Sequence, residues 1–225
     1  MLEGAIFDMD GVLLDNLEYH LEAFQRLGEE LGHPIAWEDI RKVFGRKTED
    51  MLRVLLNREL TSAEAKALER RKEEIYRELI RPTLREHIVP GLEEFLEALS
   101  EHGIRMAIAT SGPPENVSLV TEELGLGKYF EAVVTGDEVT NGKPHPEAFL
   151  RAAEKLRLPS ATCVVFEDSL SGVQAALAAG CRCVALTTSH SVEELRDLRP
   201  HRIVSDFRGL AVEDVLNLDR LGVRN

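Results

Sequence analysis

A short apolar run, Gly4-Ala5-Ile6-Phe7, opens the chain and ends in Asp8-Met9-Asp10-Gly11; the next strand-like run does not begin until Ile104. A run this short at the start of a chain reads as a buried β-strand. Everything between the two runs has helical spacing. Leu17, Leu21, Phe24, Leu27 and Leu31 recur at intervals of three and four, and Gly32 marks a stop. Ile40, Val43 and Phe44 belong to a second helix, and Met51, Leu52, Leu55 and Leu56 to a third. Thr61 with Glu64 forms a capping-box signature for a fourth, whose face carries Leu68, Ile75 and Leu79. From Asp15 to about Glu86 the chain reads as one helical block.

From Val89-Pro90-Gly91 the pattern becomes alternating. Ile104–Thr110, Ala132–Thr135, Thr162–Phe166, Arg182–Leu186 and Arg202–Val204 read as strands, with helices near 92–102, 114–125, 146–157 and 170–179. Gly103, Gly125 and Gly180 stand where glycines follow helix ends. Apolar strands separated by helices predict a parallel sheet covered on both faces. The expected fold is therefore α/β, one core domain with an all-helical insert after its first strand.

The strand ends carry the polar groups. The first presents Asp8 and Asp10, with Gly11 allowing a sharp departure. The second presents Thr110-Ser111-Gly112, a later loop holds Lys143 in Gly142-Lys143-Pro144-His145-Pro146, and another strand ends in Glu167-Asp168-Ser169. In open α/β sheets, ligands bind beyond the carboxyl ends of the strands. Any one of these groups could be a helix cap or a solvated loop residue. Together, two acidic pairs, a hydroxyl and a lysine match a site of hard oxygen ligands and compensating cations for magnesium and phosphate.

With these motifs the chain resembles the haloacid dehalogenase superfamily of phosphotransferases. The resemblance rests on Asp8-Met9-Asp10-Gly11-Val12, Thr110, Lys143-Pro144 and Glu167-Asp168-Ser169, in that family's order. It implies a Rossmann-like parallel-sheet core, 1–14 and 87–225, with an inserted all-helical cap domain, 15–86. It also implies that Asp8 is a nucleophile forming an aspartyl-phosphate and that Asp10 is the general acid and base. Mg2+ would be held by Asp8, the Asp10 backbone carbonyl and Asp168, with Glu167 in or near the outer sphere. Lys143 and Thr110 would balance phosphoryl charge, and Ser111 would contact substrate.

The helical block bears on the substrate. His20 lies on the apolar side of the first helix, and Lys72 interrupts the apolar stripe of the fourth. The likeness to the β-phosphoglucomutase branch makes both candidate substrate contacts, with Arg46 and Lys47 as further cations. A mutase must also grip a second phosphate, for which that branch supplies polar side chains after the second motif and a cap arginine. Here those places hold Gly112-Pro113-Pro114 and Thr48. Proline has no backbone N–H to offer. The expected reaction is hydrolysis of a small sugar or polyol phosphate, with a mutase as the alternative. A phosphorylation-dependent receiver would be about half this length and lack the insert. A catalytically silent binding protein would have lost motif residues, and none is missing.

A net charge of −13 argues against a nucleic-acid partner, whose affinity would rest on Lys and Arg. No apolar run approaches the ~18 residues of a membrane span, and no leader pattern is seen at the N-terminus. Cys163, Cys181 and Cys183 sit in apolar runs without zinc-ligand spacing and read as reduced thiols. A cytoplasmic monomer acting on a small molecule is the expectation.

Overall fold

The computed structural model describes residues 2–43 and 48–218. Six parallel strands form one sheet: β1 (Gly4–Phe7), β2 (Arg105–Ala109), β3 (Ala132–Val134), β4 (Cys163–Glu167), β5 (Arg182–Leu186) and β6 (Arg202–Val204). Their order is β3-β2-β1-β4-β5-β6, so β1 lies at the centre, between β2 and β4. Successive connections run outward from β1 to β3, then return to place β4 on the other side of β1. The crevice beyond β1 and β4 is thus the topological switch point of the sheet.

Ten α-helices are described. Four follow β1: α1 (Leu17–Glu30), α2 (Trp37–Val43), α3 (Thr48–Leu55) and α4 (Ser62–Ile80). Six alternate with the later strands: α5 (Leu92–Glu101), α6 (Pro114–Ser118), α7 (Glu147–Lys155), α8 (Leu170–Ala178), α9 (Val192–Arg196) and α10 (Val212–Leu216). The α/β reading therefore holds, with strand ends moved by a residue or so. Phe44, Arg46 and Lys47 lie outside the described residues.

Side chains alternate between the two faces of the sheet, as the two-residue strand period requires. Phe7, Ile108 and Phe166 face one side, where Phe7 stacks on Phe166 with ring centroids 4.6 Å apart and Phe95 of α5 meets Phe166 edge-on at 5.4 Å. Ile6, Ala107, Val165 and Cys183 face the other, under Phe149 of α7 and Val173 of α8. All three cysteines are buried free thiols. The first apolar cluster continues through Met9, Val12, Leu13 and Leu14 into Leu21, Phe24, Ile75 and Tyr76 of α1 and α4. Apolar packing therefore joins the helical block to the sheet without a break. Among the described residues no helix is long and apolar enough to cross a membrane.

The chain leaves and re-enters the core through two adjacent segments. Asp15 N donates to His87 O at 2.8 Å and Val89 N to Leu13 O at 3.1 Å. The capping box predicted for α4 is present: Thr61 Oγ1 accepts from Glu64 N, and a Glu64 carboxylate oxygen accepts from Thr61 N at 3.0 Å. Gly103, Gly125 and Gly180 adopt φ of +68°, +72° and +73° beyond their helices. The helix expected over 114–125 is broken. It ends at Ser118 and widens into a π-helical turn over Leu119–Glu123. Thr121 Oγ1 donates to Val117 O at 2.9 Å, so a side chain there competes with the backbone ladder.

Candidate active site

Because β1 and β4 are neighbours in register, Phe7 opposite Phe166, their C-terminal residues emerge side by side. Asp8 follows β1, Glu167 ends β4, and Asp168 follows it. Ligand oxygens of these three carboxylates all lie within 4.8 Å of one another, and all three residues are buried. Gly11 permits the crowding. Its φ is +80°, and a Cβ there would fall 1.8 Å from Asp168 Oδ2. Any side chain at residue 11 would displace that carboxylate.

Lys143 reaches into the trio from the loop after β3. Its Nζ lies 2.5 Å from Glu167 Oε1 and 3.0 Å from Asp8 Oδ1, and the side chain is 2% exposed. The approach to Asp8 is an ion pair without hydrogen-bond alignment, so Asp8 Oδ1 has no hydrogen-bond partner. Glu167 is fully engaged: its second oxygen accepts from Ser169 N at 2.6 Å and Ser169 Oγ at 3.0 Å. Asp168 Oδ2 accepts from the Ser189 hydroxyl.

One lysine does not balance three carboxylates. Burial pushes Asp8 well above the usual carboxylate range, Lys143 pulls the other way, and Glu167 and Asp168 add repulsion. Burial, and then Glu167, push Asp168 up to about 8. Lys143, despite burial, is driven above the ordinary lysine value by Asp8 and Glu167. A cluster that penalises its own ionisation while keeping a carboxylate oxygen unbonded fits a hard divalent cation.

Asp10 belongs to a different network. Its Oδ1 accepts from Asn16 Nδ2 at 2.6 Å and lies 3.1 Å from His20 Nε2. Burial alone would raise Asp10, but His20 and Asn16 hold it below the usual range. His20 stacks on Tyr76 with centroids 3.9 Å apart, and its Nδ1 lies 2.7 Å from Lys72 Nζ. Lys72 is 2% exposed. It is therefore buried in the inner chamber rather than snorkelling to solvent.

Thr110 and Ser111 follow β2, where Thr110 Oγ1 accepts from Gly112 N at 2.9 Å. Thr110, Ser111, Asp8, Asp10, His20 and Lys72 line one chamber of about 50 Å³. Asn16, Tyr76, Glu73 and Asn116 escape sequence reasoning. Asn16 stands at the N-cap position of α1, yet it makes no capping bond and turns to Asp10. Glu73 looks like one more charge in Lys72-Glu73-Glu74, yet it is 3% exposed.

Outside the chamber lies a wider cleft of about 1250 Å³, lined by α3, α4, the start of α6 and the loops at 111–113 and 136–146. Seven acidic side chains face it against three basic ones (Lys66, Arg70 and Arg77). Burial, then repulsion from Glu73, Glu49 and Asp137, lifts Glu69 from 4.5 to about 7. The fold thus favours protonated Glu69, and stability drains away as pH rises from about 4.5 to 7. Discounted for solvent screening, that is about 1 kcal/mol. Glu69→Gln should raise Tm by roughly 2–4 °C at pH 8 and leave it unchanged near pH 4, as thermal melts at the two pH values will show.

A doubly wound parallel sheet with acidic groups and a lysine converging at its switch point is the framework of a group-transfer enzyme. The chain belongs to the haloacid dehalogenase-like hydrolases, whose family model matches residues 2–180. It is 37% identical over 179 residues to the "Phosphorylated carbohydrates phosphatase" of Thermotoga maritima, covering 80% of this chain and 82% of that protein. It is 30% identical to the β-phosphoglucomutase of Bacillus subtilis, covering 80% of each. The crystal structure of β-phosphoglucomutase from Clostridium difficile superposes with a TM-score of 0.87 at 26% identity, over 97% of both chains.

Proposed function

We propose that this hydrolase is a magnesium-dependent phosphatase of a small sugar or polyol phosphate, acting through an aspartyl-phosphate on Asp8. In this reading residues 15–86 act as a cap over a core of 1–14 and 87–225. The observation that carries it is the carboxylate trio at the switch point, with Lys143 between Asp8 and Glu167. Asp8 attacks phosphorus, and the leaving oxygen takes a proton from Asp10. Asp10 then takes a proton from the water that cleaves the acyl-phosphate. His20 Nε2, 3.1 Å from Asp10, orients that carboxyl towards the chamber. Lys143 and Thr110 offset charge on the transferring group. Ser111, His20 and Lys72 meet the substrate where they line the chamber.

Asp8, Asp168 and the Asp10 carbonyl would hold the metal. Glu167, with both oxygens already bonded, orients Lys143 and Ser169 from behind. Magnesium, when bound, supplies Lewis-acid compensation of phosphoryl charge. EDTA should stop phosphate release and added Mg2+ restore it. Asp168→Ala should raise the Mg2+ needed for half-activity at least tenfold or abolish turnover. Full activity in metal-free protein would defeat the assignment.

Two features favour hydrolysis over mutase chemistry. The cleft's acidic excess would repel a second phosphate, and Thr48 donates to Glu73 at 3.2 Å instead of offering a cation. Supplied with β-glucose 1-phosphate and a trace of the 1,6-bisphosphate, the enzyme should release phosphate faster than it forms glucose 6-phosphate. The opposite order would establish the mutase.

A further inference from the structure

Asn116 of α6 is 1% exposed, and both ends of its amide are held by α4. Its Nδ2 donates to Glu73 Oε2 at 2.8 Å, and its Oδ1 accepts from Arg77 Nη1 at 2.8 Å. Residues four apart on a helix share a face, so Glu73 and Arg77 grip one core side chain between them. Glu73 Oε1 turns the other way, accepting from Lys72 Nζ at 2.9 Å and Thr48 Oγ1 at 3.2 Å. Lys72 Nζ in turn touches His20, which lies against Asp10. A continuous polar chain thus joins a core helix to the leaving-group end of the chamber by way of the helical block.

The same residues govern access. At about 50 Å³, the chamber is far below the roughly 300–1,000 Å³ of ligand pockets. A sugar phosphate can enter only if the block parts from the core. Glu73 lines both the chamber and the wide cleft, so the Glu73–Asn116–Arg77 clamp is part of the wall between them. A polar clamp suits a seam that must open. Its groups rehydrate on parting, so the net cost per hydrogen bond is small, whereas a mismatched donor or acceptor in the closed seam is costly.

We propose that Asn116 is a positioning residue: its amide, held between Glu73 and Arg77, docks α4 on the core and through Glu73 sets Lys72 against His20 only in the closed state. The proposal rests on the reading of Asp10 as the group that serves the leaving oxygen.

The polarity of the clamp allows a swap test. Asn116→Asp sets a carboxylate against Glu73. Glu73→Gln cannot meet Lys72 and Thr48 as acceptor while also meeting Asn116 as acceptor. The double variant Glu73→Gln/Asn116→Asp restores every bond. Its new amide at position 73 donates to the new carboxylate at position 116, while the amide carbonyl faces Lys72 and Thr48. Arg77 still donates to position 116. Two probes are used, glycerol 3-phosphate, whose alkoxide must be protonated, and p-nitrophenyl phosphate, whose phenolate leaves unaided. Each single variant should lower kcat on glycerol 3-phosphate about tenfold or more, with KM within about threefold, and lower p-nitrophenyl phosphate turnover less than about threefold. The double variant should return to within about threefold of the parent on both. Tm should fall little in the singles, since opening relieves the clash without unfolding. Equal loss on both probes, or a double variant no better than the worse single, overturns the proposal. If the parent hydrolyses neither ester, the phosphatase reading fails separately. Small-angle scattering then decides the clamp: wider singles and a parent-like double support it, and identical dimensions in all four proteins reject it.

Discussion

Asp8→Asn should give a folded protein whose phosphate release is at least about 10³-fold below the parent's, with a melting temperature in EDTA no lower than the parent's. The two halves of this result come from the same geometry. Asn presents a carbonyl oxygen and an amide where the carboxylate stood, so it lacks the charge and lone-pair availability of a nucleophile. The stability half is less obvious. Asp8 is one of three carboxylates within 4.8 Å, and burial, Glu167 and Asp168 all raise the cost of its charge. Lys143 is the cation that relieves it, and that lysine keeps Glu167 at 2.5 Å when Asp8 is neutralised. Removing the charge therefore relieves repulsion and leaves the lysine paired. Parallel measurements of phosphate release and thermal melting decide the matter. A variant that hydrolysed phosphate near the parental rate would remove Asp8 from the chemistry. One that lost activity and also melted far lower would show that the loss came from structure.

The parts legible in the sequence were those with a short-range signature. β1 could be read because four apolar residues end in a carboxylate pair, and α4 because Thr61 and Glu64 stand three apart ahead of a helical stripe. The parallel order of the sheet followed from strands separated by helices. The switch point, which only the pairing of β1 with β4 creates, did not. Asp8, Lys143, Glu167 and Asp168 stood out in combination, because each alone could serve as a cap or a loop residue but together they set acidic pairs and a lysine at the strand ends. Asn16, Glu73 and Asn116 did not, because each has an ordinary local role: a helix cap, a solvated helix charge and a residue in a helix's first turn. Their burial arises from packing between segments far apart in sequence, 60 residues for Asn16 with Tyr76 and 43 for Glu73 with Asn116. Local spacing carries no trace of such partners. Lys72 lay between these cases. Its break in an apolar stripe was visible, but only the fold shows that the ammonium turns inward to His20 rather than out to water.

Lys143→Met should abolish turnover and destabilise the metal-free protein by about 3–5 kcal/mol, the usual consequence of stripping one partner from a buried ion pair. For a chain of this size that corresponds to a fall in Tm of roughly 6–20 °C. Methionine matches the lysine stem and leaves the packing over Phe149 largely intact, where Nζ sits 5.1 Å from the ring centre. The loss is therefore one of charge. Without the ammonium, Glu167 and Asp8 face each other and Asp168 unrelieved, and the folded pKa values of Asp8 and Asp168 climb further above the unfolded ones. A carboxyl raised in the folded state costs stability as pH rises past its unfolded value. The gap in Tm between parent and variant should thus be small near pH 4 and widen towards pH 8. Adding Glu167→Gln removes one stranded charge and should recover much of the stability, since Gln can still accept from Ser169 with its carbonyl. It should recover no activity, because the cation beside Asp8 is still missing. A pH-independent Tm difference would show that Lys143 matters for its packing and not its charge. Recovery of turnover in the double variant would take Lys143 out of the reaction altogether.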